Sequence, residues 1–258
     1  FEYEAGVVGD WKTGLKENFC SINKSELTLE QKRQYAQQSA KAASQRKADE
    51  AKRRMNAKKE VNEIWGKAST KGAGSHPYLI NKKIKDFNVR TDASNNLLVP
   101  MYDNNHIMWN IQKILSNGEK RFHPNARTHG CYYPIGFLSN TLTQLILCEG
   151  PSTGMSIYQA IGVPTAVCFG AEKLDSIAKV LREKYPNTKI IIAGDDDQFN
   201  SVNIGRNKSF IAAKQVNAST IFPVFEDLST KPTDFNDLHC LEGLEAVRKQ
   251  FVGVCDVF

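Results

Sequence analysis

The sequence predicts an α/β fold, α+β overall. A parallel sheet with helices on both faces is expected, preceded by a small antiparallel β subdomain and a long basic helix. Three observations carry this. From residue 141 onward, short apolar runs alternate with helical stretches, the rhythm of strand–helix–strand crossovers. From Leu97 to Ile135, short runs are separated by closely spaced turn residues, the mark of an antiparallel meander. Before both, Glu30 to Lys67 has no proline and only Gly66, and is rich in Ala, Gln, Lys and Arg, all strong helix formers.

Residues 1–27 carry aromatics and glycines, including Gly9-Asp10-Trp11-Lys12-Thr13-Gly14. They read as a small β-rich piece. The sequence begins at Phe1 rather than with methionine, so this piece is expected to be the trimmed end of a domain. Residues 28–75 are the basic helical segment and a hinge. Thr28 and Gln31 stand at capping-box spacing, which places the helix start there. Continued to Trp65, the helix spans roughly 55 Å. Its large apolar residues are few (Tyr35, Met55, Val61, Ile64 and Trp65), so only its C-terminal end has the means to dock firmly on a core. Lys71 to Ser75 reads as a flexible hinge.

Residues 76–140 are the antiparallel subdomain, opened by His76-Pro77-Tyr78-Leu79. Strands are expected at 97–102, 106–114, 120–123 and 131–135. Asp103-Asn104-Asn105 and Ser116-Asn117-Gly118-Glu119 supply turns between them. Residues 141–258 are the α/β domain. Strands are expected at 144–148, 165–169, 189–193 and 220–223, and helices at 153–161, 171–185 and 203–216.

Composition narrows the function classes. The chain has 258 residues, 41% of them apolar, enough for a real core and too many for a disordered chain. No apolar run reaches the roughly 18 residues of a membrane-spanning helix, and no membrane partner is expected. The six cysteines are scattered without a C-x-x-C pair, which argues against a zinc ribbon and against a secreted disulfide scaffold. A cytoplasmic location is expected. Of the net charge of +6, the stretch Glu30 to Lys67 holds eleven Lys/Arg against five Asp/Glu, leaving 23 of each elsewhere. All excess positive charge therefore lies on the helix. It is either a solvated spacer or an arm that attracts nucleic-acid phosphates.

Two strand ends carry acids. The first apolar strand of the α/β domain runs into Glu149-Gly150, and the third into Gly194-Asp195-Asp196-Asp197. Parallel strands bring both ends to one edge of the sheet, where the chemistry of such folds lies. Glu149, Asp195 and Asp197 can then converge, while alternation along extended chain turns Asp196 elsewhere. Three carboxylates together repel unless a cation sits among them, and hard oxygen ligands suit Mg²⁺ or Mn²⁺. Acids at strand ends also serve as helix caps and loop solvators. It is their joint placement on two strands that points to a site.

These residues resemble a TOPRIM domain, the catalytic module shared by bacterial-type primases, topoisomerases and some nucleases. The resemblance rests on Cys148-Glu149-Gly150, Cys168-Phe169-Gly170 and Ala193-Gly194-Asp195-Asp196-Asp197. The preceding stretch Leu98 to Asp103, Trp109 to Ile111, Lys120-Arg121-Phe122 and Tyr133 to Gly136 is similar to the subdomain before TOPRIM in bacterial primases. Gly9 to Gly14, the long charged helix, His76 to Leu79 and Asp234-Phe235-Asn236-Asp237-Leu238 resemble the primases of plasmids and phages. The resemblance implies catalytic and metal-binding roles for Glu149, Asp195 and Asp197, with Mg²⁺ or Mn²⁺ as cofactor. Asp234 and Asp237 are candidates to extend the acidic site, with Asp237 as a further metal ligand or, alternatively, the cap of the last helix. The resemblance also implies a DNA-dependent RNA primase core, with a single-stranded DNA template and ribonucleoside triphosphates as partners and a replicative helicase as a further one. Cellular replicative primases carry a further acid shortly after the glutamate, whereas Glu149-Gly150-Pro151-Ser152-Thr153 has none. No Walker A pattern occurs.

Template and triphosphate need cations. Lys113, Lys120, Arg121, Arg127 and, after the acids, Arg206 are the candidates. Lys120 and Arg121 are adjacent on a strand, so only one is expected to face the cleft. Trp109 and Phe122 are candidates for base stacking or for the core. A TOPRIM nuclease and a non-catalytic binding module with remnant acids remain the alternatives to a primase.

Overall fold

A computed structural model describes residues 5–9, 16–20 and 27–255, and they fall into two units, 1–52 and 53–258. In the first unit β1 (Ala5–Gly9) and β2 (Lys16–Cys20) pair antiparallel, with Ala5 opposite Cys20. Residues 10–14 of the Gly9 to Gly14 stretch lie outside the described residues. The long helix α1 (Leu29–Lys67) starts at the expected capping box: Thr28 N–H donates to Gln31 Oε1 at 2.9 Å and Gln31 N–H to Thr28 Oγ1 at 3.3 Å. Its buried residues are Ala57 and Val61, both near the C-terminal end. There Val61 packs on Leu98, Met108 and Ile111, with Ile64 and Trp65 alongside. Met55 stays nearly half exposed.

The expected hinge is an ordered turn. Gly72 adopts φ 84° and leads into a 3-10 turn, Ala73–Ser75, whose Ala73 is fully buried. His76 then caps α2 (Pro77–Asn81): its Nδ1 accepts from Tyr78 N–H at 3.1 Å while Nε2 meets Asn95 O at 3.0 Å. The imidazole ring thus ties the start of this helix to the loop before the second strand of the sheet that follows.

That sheet comprises β3 (Arg90–Thr91), β4 (Leu97–Tyr102), β5 (Met108–Ile114) and β6 (Lys120–Phe122), in that spatial order and antiparallel throughout. The expected fourth meander strand goes elsewhere. β7 (Tyr133–Ile135) leaves the meander and runs antiparallel along the edge of the second sheet. Its Tyr133 and Ile135 are buried there, and covering an exposed edge removes a row of unpaired backbone groups.

The second sheet adds β8 (Gln144–Cys148), α3 (Pro151–Ile161), β9 (Thr165–Val167), α4 (Leu174–Lys184), β10 (Lys189–Ala193), α5 (Ile204–Val216) and β11 (Ser219–Ile221), closed by α6 (Phe235–Glu242) and α7 (Leu244–Phe251). Strand order is β11-β10-β8-β9-β7, and all but β7 are parallel. Alternation puts Ile146 and Ile191 with residues of α3, α6 and α7 on one face. Leu145, Leu147, Ile190 and Ile192 meet α4 and α5 on the other. The sheet is therefore covered on both faces, as the continuous apolar strands required. Burial of each such isoleucine contributes roughly 1.5–3 kcal/mol. The expected strand 165–169 stops at Val167, because Phe169 (φ 62°) and Gly170 (φ 134°) turn the chain out of the sheet. Among the described residues, no helix is long and apolar enough to cross a membrane.

Candidate active site

β8 and β10 are neighbours with Cys148 opposite Ala193, so Glu149 and Asp195 leave the sheet side by side at its carboxyl edge. Both reach an enclosed position. Glu149 Oε1 and Asp195 Oδ1 are buried and have no hydrogen-bond partner. Burial, followed by repulsion from Asp197, pushes the Glu149 carboxyl up to about 7; the Asp195 backbone N–H pulls the other way. Asp195 is raised by burial and then by the charges of Asp234, Glu149 and Asp197. Asp234 is raised too, by burial and then by the charge of Asp237, against the pull of the Asp237 backbone N–H, Lys82 and Thr153.

Orphaned buried carboxylate oxygens are costly, and a cation among them removes both the desolvation penalty and the repulsion. The donor set is all oxygen, which fits a hard divalent ion such as Mg²⁺ or Mn²⁺. Among the described residues, no three His, Cys, Asp or Glu side chains are already drawn together as a closed ligand shell. The acids share an edge and a field rather than touching.

The three consecutive aspartates divide as alternation requires. Asp196 is turned away, with Oδ2 2.7 Å from Arg206 Nη1 and its backbone N–H on Thr233 O. Asp197 stays on the site side, and its Oδ2 accepts from Gly205 N–H at 3.0 Å. Sequence reasoning missed Gly205. A Cβ there would lie 2.6 Å from Asp195 O and 3.0 Å from Glu149 Oε1, so only glycine lets the first turn of α5 approach the acids this closely. The signal was present as Asn203 two residues before a glycine at a helix start. It also missed Thr153, whose hydroxyl donates to Asp234 Oδ2 at 3.1 Å.

Asp234, rather than Asp237, is the N-cap of α6, taking the N–H groups of Asn236 and Asp237. Asp237 reaches back to Thr233 N–H at 3.0 Å and pairs with Lys82 at 3.6 Å. Both lie close enough to Asp195 to raise it.

Four of the five candidate cations already have an internal carboxylate. Lys113 pairs with Asp92 at 2.9 Å, and Arg121 grips Glu119 with two bonds of 2.8 and 2.9 Å. Arg127 pairs with Asp103 at 3.2 Å, and Arg206 with Asp196 at 2.7 Å. Lys120 has no carboxylate partner among the described residues; its Nζ lies 5.7 Å from the Tyr78 ring. Neighbouring Phe122 sets the direction of this face. Its ring meets Phe169 edge-on at 6.0 Å, in the loop that follows β9 at the same sheet edge as Glu149. Trp109 is engaged internally: its indole N–H donates to Asp103, and Lys58 and Arg127 lie 4.6 and 4.3 Å from its ring centre. His123 meets Glu60 of α1 at 3.0 Å.

An acid-tipped parallel sheet flanked in this way matches a known family. Residues 144–245 match the Toprim domain. The chain carries a Toprim domain. Two curated proteins of Escherichia coli, each named DNA primase TraC, are similar to it. One is 34% identical over 167 residues, 61% of this chain and 12% of that protein. The other is 29% identical over 231 residues, 86% of this chain and 22% of that protein. The chain thus spans less than a quarter of the length of these relatives. Among solved structures, the primase fragment of the bacteriophage T7 primase-helicase protein superposes with a TM-score of 0.51 at 15% identity, covering 67% of this chain and 72% of that one. That likeness is one of fold, and it covers more of the chain than the 102 residues of the Toprim match.

Proposed function

We propose that this chain is the catalytic core of a DNA-dependent RNA primase, joining ribonucleotides on a single-stranded DNA template. The observation that carries the reading is the pair of buried, unpartnered carboxylate oxygens of Glu149 and Asp195 at the carboxyl edge of the Toprim sheet. The names of the two similar Escherichia coli proteins support it.

In this reading Glu149, Asp195 and Asp197 hold divalent metal, Mg²⁺ or Mn²⁺, with Asp234 and Asp237 adding charge at the rim. The metal would supply charge neutralisation on the phosphates and a more acidic attacking hydroxyl. The reaction joins a primer 3′ oxygen to the α-phosphorus of a ribonucleoside triphosphate and releases pyrophosphate. The chain's own residues set the geometry. The first turn of α5 fixes Asp197 through the Gly205 N–H. Lys120 is the candidate cation left to meet a phosphate, while Lys113, Arg121, Arg127 and Arg206 stabilise their own loops and strands. The basic helix α1 adds long-range attraction for the template. A replicative helicase is a partner of the full protein in this reading, and the cytoplasm its location.

The experiment is incorporation of labelled ribonucleotides on mixed single-stranded DNA with Mg²⁺ or Mn²⁺. Short RNA products that require the template support a primase. Degradation of the template with no RNA product replaces that reading with a nuclease.

A further inference from the structure

We propose that Asn203 is a positioning residue of this site, the clasp that splits the aspartate triplet into one anchor and two acids facing the site. The inference rests on the metal reading above for its functional meaning, and on geometry for the clasp itself. Asn203 follows an exposed loop, residues 198–202, that leaves the aspartates and returns to α5. Its side chain closes that loop at both ends. Asn203 Oδ1 accepts from Asp197 N–H at 3.0 Å and, as the cap of α5, from Arg206 N–H at 3.1 Å. Asn203 Nδ2 donates to Asp196 Oδ1 at 2.5 Å. One amide group thus holds two successive aspartates in opposite senses: Asp196 by its carboxylate, Asp197 by its backbone.

The chemistry of this position is specific to an amide. The group must accept twice and donate once. Aspartate accepts but cannot donate to Asp196. Serine can cap the helix, yet is too short to reach Arg206 N–H, Asp197 N–H and Asp196 together. The two neighbouring contacts complete the clasp: Arg206 on Asp196 Oδ2 and Gly205 N–H on Asp197 Oδ2. Without Asn203, the Asp197 N–H would lose its partner, and the carboxylate would be held by the Gly205 N–H alone. Groups that orient metal ligands in this way change metal affinity by roughly 10–100-fold when removed.

The test uses the full chain with Mn²⁺ as the probe, followed by electron paramagnetic resonance, beside thermal denaturation and hydrogen exchange at the Asp197 amide. Asn203→Ser should keep the cap on Arg206 N–H but lose the bonds to Asp196 and Asp197, lowering Tm by roughly 2–8 °C in a chain that still folds. It should weaken Mn²⁺ about tenfold or more and speed Asp197 amide exchange by a similar factor. Asn203→Asp sets a second carboxylate against Asp196 Oδ1 and should restore neither the Asp197 protection nor the Mn²⁺ affinity. Wild-type exchange and wild-type Mn²⁺ affinity in Asn203→Ser would overturn the clasp. Failure of the wild type to bind Mn²⁺ would instead overturn the metal reading, and the exchange measurement would then decide the clasp on its own.

Discussion

Replacing Gly205 by alanine sets two effects of known sign against each other. Helix propensity alone favours alanine, by roughly 0.4–1 kcal/mol where the native backbone accepts it. Here the added Cβ meets Asp195 O at 2.6 Å, Asp195 C at 3.2 Å and Glu149 Oε1 at 3.0 Å. The first obstacle is a backbone carbonyl just beyond β10, which is buried from Ile190 to Ala193, and it has no rotamer by which to move aside. The first turn of α5 must withdraw, stretching the 3.0 Å bond from Gly205 N–H to Asp197 Oδ2. Overpacking of this kind costs roughly 1–3 kcal/mol, and a weakened bond to a charged group adds to it. The propensity gain offsets less than half. A net loss of about 2 kcal/mol follows, which for a chain of this size lowers Tm by roughly 4–8 °C. Thermal denaturation without divalent ions reads it directly. A Tm that rises by about 1–3 °C, as propensity alone requires, would refute the close approach of α5 to the acids.

Other consequences follow from the same geometry. Because Glu149 is raised from 4.5 to about 7, the native state holds a proton there that the unfolded chain has released, so stability falls as pH rises through that window. Glu149→Gln should flatten the fall by roughly 1–2 kcal/mol in urea titrations without metal, after allowance for partial solvent screening; an unchanged slope would contradict the burial of this carboxyl. Arg127→Ala should destabilise by about 1–2 kcal/mol, because it removes the cation beside Asp103, which keeps its bonds from Trp109 and the backbone, and uncovers the Trp109 ring. Arg121→Ala, which removes an exposed pair, should change stability by less than about 1 kcal/mol; equal Tm losses would be inconsistent with these placements. Lys120→Ala should leave Tm unchanged, weaken single-stranded DNA or nucleotide binding, and reduce the salt slope of DNA affinity by about 0.7 if its contact is a template phosphate. Fluorescence anisotropy over a salt series measures it.

The parts legible in the sequence were those fixed by local pattern. Lys189 to Ala193 could only be a buried strand, and it is one, with the expected bounds. The capping box at Thr28 and Gln31 placed the start of α1 within a residue. Alternation alone separated Asp196 from Asp195 and Asp197. What escaped the sequence was decided by long-range partners. The strand at Tyr133 to Ile135 looks like one more turn of a meander, yet its pairing is with β9, where Tyr133 meets Val167 and Ile135 meets Thr165. The glycines of Lys71 to Ser75 suggest looseness, but the buried methyl of Ala73 and the His76 cap make an ordered turn. Charge is the least legible property. Lys113, Arg121, Arg127 and Arg206 all look available to phosphate; Arg121 is paired with Glu119 two residues back, and the other three with carboxylates that no local rule assigns to them. Asp234 was overshadowed by Asp237, because the role of a helix cap depends on where the helix begins.

The account stands most directly on whether the acids at the sheet edge make RNA. Primer synthesis by the wild type would be measured beside an Asp195→Asn/Asp197→Asn variant, with circular dichroism confirming that the variant is folded. Asparagine removes the charge and nearly preserves shape, and it should not destabilise a chain in which Asp195 is held against its own ionisation. The expected result is template-dependent RNA from the wild type and none from the folded variant. RNA made equally well by both would contradict the assignment of these carboxylates to the reaction.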